Sequence, residues 1–188
     1  MNRIALLLAA ALAALPALAD EAKLLEEARA VATSIPPKLL EVLNAEIAKG
    51  GPESAIGVCR EKAPQMARAA SEKTGWAIRR VSLKNRNPKA VPDAWEKTAL
   101  EDFDRRAAGG GEKPTGMEKG EIVADGGART FRYMKALPTQ DICMDCHGMT
   151  ERISPAVKAR INEFYPDDKA VGYGPAEIRG AITLKKTL

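Results

Sequence analysis

The sequence has one histidine, few aromatic residues and no long apolar segment beyond its N-terminus. The single histidine, His147, excludes any centre within one chain that needs two imidazole ligands. Aromatic residues make up 4% of the 188 residues, so less bulky side-chain volume than usual is available to fill a core. No later segment approaches the roughly 20 apolar residues that a membrane-spanning helix needs. The mature protein is therefore expected not to insert into a membrane.

Neither positive nor negative charge is concentrated in one part of the chain. The formal net charge is +4 at pH 7, and the lysines and arginines are spread along the chain. The sequence has no block of basic residues with interleaved aromatic residues, which is the pattern typical of nucleic-acid binding. It therefore predicts no nucleic-acid partner.

The N-terminus has the pattern of an export signal. Arg3 gives a positive start, an apolar run covers residues 4–15, and Ala17-Leu18-Ala19 supplies small residues for cleavage. This pattern predicts a signal peptide over residues 1–19 and a periplasmic mature protein. Residues 20–188 have a length at which one domain is the default, so a single domain is expected.

Helical patterns come first along the chain, and strand patterns follow. Pro36-Pro37 are expected to break the first helix. The predicted helices are residues 21–34, a second helix that stops at Gly50-Gly51, residues 52–74, a helix capped by Asp93 and Glu96, and residues 155–164. The predicted strands are GWAIRRVSLKNRNP, the hairpin EIVADGGARTFRYMKAL, and GAITLKKTL. This order predicts an α+β fold with an antiparallel sheet.

The segment CMDCH, Cys143 to His147, carries the chemistry of the chain. C-x-x-C-H is the pattern of covalent c-type haem attachment. Its two thiols bind the haem vinyl groups, and the adjacent histidine becomes the proximal iron ligand. The sequence therefore predicts one covalently attached haem c, held by Cys143, Cys146 and His147.

Two other interpretations of these residues are weaker. A disulfide or redox pair needs only C-x-x-C, and it leaves His147 unexplained. A zinc site that includes Cys59 has the required three cysteines and one histidine. However, Cys146 and His147 are neighbours in sequence, whereas zinc ligands are normally spaced by at least two residues.

The residues leave several alternatives open for the distal side of the iron. These are Cys59, a methionine, a lysine or an open site. Met144 and Met149 lie within or next to the attachment motif and cannot easily reach the opposite face. The remaining methionines are Met66, Met117 and Met134.

Cys59 lies in the predicted helix 52–74, on the stripe expected to face inward. Pro64 disfavours helical backbone at Ala63 and removes a backbone donor, so a kink or break is expected just after Cys59. Several basic residues are candidates either for the haem propionates or for an ordinary solvated surface. They are Arg79, Arg80, Lys84, Arg86 and Arg132.

Four segments together resemble a family of exported single-haem proteins with a PAS-like fold. They are GVCREKAP, RRVSLKNRNPKAVPDAWE, RTFRYMKALPTQDICMDCHG and GYGPAEIRGAIT. The structurally known cyanobacterial member of that family has a c-type haem ligated by His and Cys, and related domains are extracytoplasmic sensors of histidine kinases and chemoreceptors. The resemblance implies a PAS-like antiparallel sheet with N-terminal helices packed around the haem. It also implies Cys143 and Cys146 as attachment thiols, His147 as proximal ligand and Cys59 as distal ligand.

These expectations predict a sensor more readily than an electron carrier or an enzyme. A thiolate ligand favours ferric iron, and reduction weakens the Fe–S bond. The expected function is therefore redox or diatomic-gas sensing in the periplasm, reported to an unidentified redox or signalling protein. The alternative is an electron-transfer cytochrome with His/Met or His/Cys ligation. A haem peroxidase or sulfur-compound oxidoreductase is not expected, because no motif supplies a distal acid or base.

Overall fold

This computed structural model describes the backbone of residues 3–188 and the side chains of residues 20–124 and 126–188. The predicted signal peptide therefore lies outside the described side chains and stays a prediction. Helices α1 to α5 are Arg3–Ser54, Ala63–Thr74, Ala94–Ala108, Met144–His147 and Pro155–Phe164. Strands β1 to β4 are Ala77–Val81, Glu118–Asp125, Ala128–Pro138 and Ile178–Thr187. No helix in the part of the chain searched is long and apolar enough to cross a membrane.

The four strands form one antiparallel sheet in the order β1-β4-β3-β2. Strands β2 and β3 form the predicted hairpin, and Gly126 and Gly127 both have positive φ angles, of 62° and 86°. A two-residue hairpin turn of this type requires positive φ at both positions. The C-terminal strand β4 lies in the centre and pairs with both β1 and β3. The predicted α+β fold with an antiparallel sheet is confirmed.

Each face of the sheet has its own apolar cluster, because successive strand residues point to opposite faces. Helix α1 covers one face, which we call the α1 face, and α3 covers the other, the α3 face. The α1-face cluster contains Ala28, Ala32, Trp76, Phe131, Tyr133, Ile182 and Leu184. The α3-face cluster contains Val81, Ala99, Leu100, Phe103, Met117, Met134, Ala136, Ile178 and Ala181.

The predicted break at Pro36-Pro37 is wrong. Helix α1 continues through both prolines, and its non-helical backbone angles occur at Gly50 and Gly51, where Gly51 has a φ of 77°. Each proline lacks one backbone hydrogen bond. The helix persists because Ala28 and Ala32 on the preceding turns are fully buried against the sheet, and this packing offsets the missing bonds.

The N-terminus of α3 is capped as the sequence predicts. The backbone N–H of Glu96 donates to Asp93 Oδ1 at 3.0 Å, and the Asp93 N–H donates to Glu96 Oε2 at 2.9 Å. This reciprocal pair satisfies two backbone donors that the first helical turn leaves free. Ala99, Leu100 and Phe103 then face the sheet and are buried.

Candidate functional site

The attachment motif forms a tight local turn. Residues Asp141–Cys143 are a 3-10 turn, and α4 begins at Met144 and ends at His147. Chain reversal at the end of α4 depends on Gly148, because a Cβ atom there would lie 2.6 Å from the Met144 carbonyl oxygen. The motif therefore needs a glycine directly after its histidine for a steric reason.

The orientation of His147 is set by a residue far downstream. Its Nδ1 lies 2.7 Å from the carbonyl oxygen of Ala170, so Nδ1–H donates to that oxygen. The Nε2 atom then keeps its lone pair, which is the form that binds iron. Burial, with Arg179 and Arg86 nearby, lowers the pKa of His147 well below its usual range. The ring is therefore neutral near pH 7.

The segment 170–174, which we call the return segment, supports His147 from the side. The backbone N–H of Tyr173 donates to the His147 carbonyl at 3.0 Å. The Tyr173 ring packs edge-on to the imidazole, with centroids 6.4 Å apart. The Gly172 N–H donates to the Gly148 carbonyl at 2.8 Å. The motif is thus held on both sides of its histidine by one return segment.

Cys59 lies between α1 and α2, in the π-helical turn Val58–Lys62. The predicted helix 52–74 is thus interrupted, as expected, but the irregularity spans Cys59 rather than following it. Single π turns inside helices occur frequently at functional sites. Pro64 begins α2 in its first turn, where a proline costs little because the first backbone N–H groups of a helix have no partner.

The structure brings Cys59 close to the attachment motif. Burial raises the pKa of the Cys59 thiol, while three arginines lower it and Cys143 raises it. Burial also raises the pKa of Cys146 to about 11, and Cys59 contributes to that rise. Ile56, about one turn before Cys59, lies in the apolar cluster against which Cys146 packs, so the two segments are neighbours. The Cys59 side chain is nevertheless accessible to solvent. We call the solvent-accessible region that Cys59 shares with the motif thiols and these arginines the cleft.

Two arginines border the same cleft as Cys59 and His147. Arg86 is buried and ion-paired to Asp168, with Nη2 3.0 Å from Oδ2, and its Nη2 also donates to the Cys146 carbonyl at 2.6 Å. Arg80 is solvent-exposed, yet burial lowers its pKa, while Cys59 and Cys143 raise it. Arg80 therefore lies in the cleft beside the thiols.

The other basic candidates lie elsewhere. Arg79 pairs with the fully buried carboxylate of Glu96, and Arg132 donates to Asp93 at 2.6 Å. Both therefore belong to the α3 face and have no role in the cleft. Lys84 lies over the Tyr173 ring, 4.7 Å from its centroid.

The three methionine candidates are separated by the fold. Met117 and Met134 are fully buried in the α3-face cluster. Arg80 follows Arg79 in β1 and so faces the opposite side of the sheet. These two methionines and the Arg80 side of the cleft therefore lie on different faces. Met66 lies half-buried on α2. Within the searched part of the chain, no group of three or more His, Cys, Asp and Glu side chains is arranged to hold a metal ion.

A cavity of about 920 Å³ lies beside the C-terminal end of α3 and was not predicted from the sequence. It is bordered by Leu100, Asp104, Tyr173 and Glu177 among others. Burial and the nearby Glu177 raise the pKa of Asp104. Tyr173 separates this cavity from His147.

Sequence reasoning also missed Ala170, Asp168 and Arg179. Ala170 acts through its backbone carbonyl, which no residue pattern reveals. Arg179 falls within GYGPAEIRGAIT, a segment that the resemblance singled out without giving this arginine a role.

A family model described as Tll0287-like matches residues 11–186. The chain belongs to the Tll0287-like family. Among solved structures it matches the "Crystal structure of the cyanobacterial heme-protein Tll0287", with 24% sequence identity and a TM-score of 0.62. That match covers 88% of this chain and 93% of the other. No functionally curated protein matches the chain.

These matches confirm the PAS-like α+β fold that the sequence resemblance predicts. The c-type attachment, the Cys/His ligation and the relation to sensor domains stay predictions. At 24% identity the structural match speaks for the fold alone. The roles of Cys59, Cys143, Cys146 and His147 therefore rest on the geometry of this chain.

Proposed function

We propose that this protein binds one haem c, attached through Cys143 and Cys146, with His147 as proximal ligand and Cys59 as distal ligand. The hydrogen bond from His147 Nδ1 to the Ala170 carbonyl, which leaves Nε2 free, is the observation that carries the proposal. The similar cyanobacterial protein is described as a haem protein, which supports it.

The residues of the cleft fit such a group. Both motif cysteines are unpaired thiols, and the imidazole between them and the return segment is neutral and fixed in one tautomer. Cys59 and Arg80 line the cleft from the N-terminal half of the chain. Their two side chains supply a sulfur donor and a cation, which match an iron and a carboxylate. When bound, the haem supplies a redox-active iron.

We further propose a role in redox or diatomic-gas sensing in the periplasm rather than catalysis. Cys59 lies in a π turn between two helices, where a change of one residue in helical register moves its sulfur without unfolding either helix. Its thiol pKa is raised by burial, so a Cys59 that leaves the iron takes up a proton and remains neutral. Both properties favour a reversible ligand. The readout would pass to a redox or signalling protein partner.

Spectroscopy of a Cys59→Ser variant tests the ligand set. Optical and EPR spectra of the haem-loaded wild type are expected to show a low-spin ferric thiolate signature, which Cys59→Ser loses. Met66→Leu is the matched control, because Met66 is the remaining methionine candidate on the N-terminal helices. A Cys59→Ser protein with an unchanged ferric spectrum, or a spectral change in Met66→Leu instead, would contradict thiolate ligation.

Reduction distinguishes sensing from electron transfer. The sensing proposal expects the ferrous wild type to bind CO, because reduction weakens the Fe–S bond. An electron carrier keeps both ligands, so a ferrous spectrum that is six-coordinate and unchanged by CO would favour that alternative.

A further inference from the structure

Arg179 is a buried cation placed against the imidazole of His147. It is the second residue of β4 and is 7% exposed. Its Nε lies 3.3 Å from His147 Nδ1. The guanidinium is held there by Nη1, which donates to Ser82 Oγ at 2.8 Å and to the Lys84 carbonyl at 3.2 Å. The Tyr173 ring packs on the guanidinium, 5.4 Å from its carbon.

The contact between Arg179 and His147 is electrostatic rather than a hydrogen bond. His147 Nδ1–H already donates to the Ala170 carbonyl, which is closer, at 2.7 Å. Two N–H donors cannot share one hydrogen bond, so Arg179 Nε–H cannot donate to the same nitrogen. Its position is fixed by Ser82 and Lys84 instead. The protein thus holds a positive charge against the histidine without using it to orient the ring.

Burial lowers the pKa of Arg179, and Asp168 is the carboxylate that opposes this shift, but it is ion-paired with Arg86 instead. No ion pair within 4 Å joins its guanidinium to a carboxylate in the described part of the chain, whereas Arg86 in the same cleft is paired with Asp168. A charge outside an ion pair acts over a longer range than a paired one, because no partner cancels its field. Burial adds to this range, because protein screens a charge less than water does.

We infer that Arg179 tunes the reduction potential of the haem iron by placing a buried positive charge behind its proximal ligand. A positive charge beside the imidazole stabilises ferrous iron relative to ferric iron, which carries one more positive charge. It also opposes loss of the Nδ1 proton, and so weakens electron donation by His147. Thiolate ligation by Cys59 acts in the opposite direction. This inference rests on the proposed ligation of haem by His147.

Reductive titration of three haem-loaded Arg179 variants tests the inference. Arg179→Gln and Arg179→Met remove the charge, whereas Arg179→Lys keeps it. At the potential where the wild-type haem is half reduced, the ratio of ferric to ferrous haem is expected to be about 10 in both neutral variants. Arg179→Lys is expected to stay near the wild-type ratio. Arg105→Gln, at an exposed position of α3, is the control for a change in net charge.

Haem content and the thermal unfolding midpoint are recorded for every variant, so that a misfolded protein is recognised. A purely structural role lowers these values without separating lysine from glutamine. A neutral variant with the wild-type potential, or a lysine variant that shifts as far as glutamine, would overturn the inference. If the wild type carries no haem, both the proposed function and this inference fail. If haem is bound and the potential is unchanged, this inference alone fails.

Discussion

At the scale of single residues, backbone groups determine much of the site. The Ala170 carbonyl orients His147, and the Met144 carbonyl requires a glycine at position 148. The side chains of the motif could be singled out from the sequence because the proposed haem attachment requires this type and spacing of residues. The two carbonyls were not, because every residue carries one and only the fold decides which of them approaches the histidine.

Gly148→Ala is expected to reduce haem attachment. The added methyl group would lie 2.6 Å from the Met144 carbonyl oxygen, so the end of α4 must shift and with it His147. We expect a loss of about 1–3 kcal/mol in the free energy of unfolding and less covalent haem per protein. Absorbance after denaturation measures the attached haem.

The matched control for this substitution is Gly111→Ala. A Cβ atom at Gly111 meets nothing within 4 Å, so its haem content should equal that of the wild type. Equal haem content in Gly148→Ala would show that α4 tolerates the methyl group.

At the scale of elements, predictions that rest on residues close in sequence succeeded, and those that depend on contacts with distant residues did not. The capping box of α3 involves two residues three positions apart, and it formed as predicted. The path of α1 through Pro36-Pro37 depends on buried alanines that contact distant strands, so local patterns predicted it wrongly. Pro64 predicted an irregularity just after Cys59, but the sequence did not show that a π turn would include Cys59 itself.

The N-terminus of α3 makes the stability of the protein depend on pH. Burial opposes ionisation of Asp93, but hydrogen bonds from the Glu96 backbone, Arg132 and Lys185 lower its pKa to about 2. The usual value for an aspartate is about 3.9. Because the folded-state pKa is the lower one, the stabilisation is complete above about pH 5 and is lost as the pH falls towards 2.

Urea unfolding at pH 7 and pH 3 measures this contribution. The wild type is expected to lose stability between the two pH values, and Asp93→Asn, which keeps a capping oxygen but no charge, is expected to lose less. Asp167→Asn, at an exposed position, is the control and should follow the wild type. An Asp93→Asn protein with the wild-type pH dependence would show that other carboxylates account for it.

At the scale of the whole molecule, one sheet joins two apolar clusters. Trp76 is buried in the α1-face cluster, and Trp95 packs against the α3-face cluster. These are the only two tryptophans of the chain, so each reports on one face. Because β4 lies centrally and pairs with both β1 and β3, the two faces are expected to unfold together.

Two single-tryptophan variants test this cooperativity. Trp76→Phe leaves the reporter on the α3 face, and Trp95→Phe leaves it on the α1 face. In each variant, the fluorescence transition is expected to coincide with the loss of helical circular dichroism. A fluorescence midpoint that departs from the helical midpoint in either variant would show that the faces unfold separately.

The return segment also sets an order in time. Ala170 lies 23 residues after His147, and ribosomes make the motif before the residues that orient it. Until the chain beyond α5 has been made and folded, the imidazole is free to rotate and to exchange its tautomers. Covalent capture of the porphyrin by the two thiols needs only the short motif. In the proposed haem protein, the thioether bonds can thus precede the final iron coordination, which the residues after α5 complete.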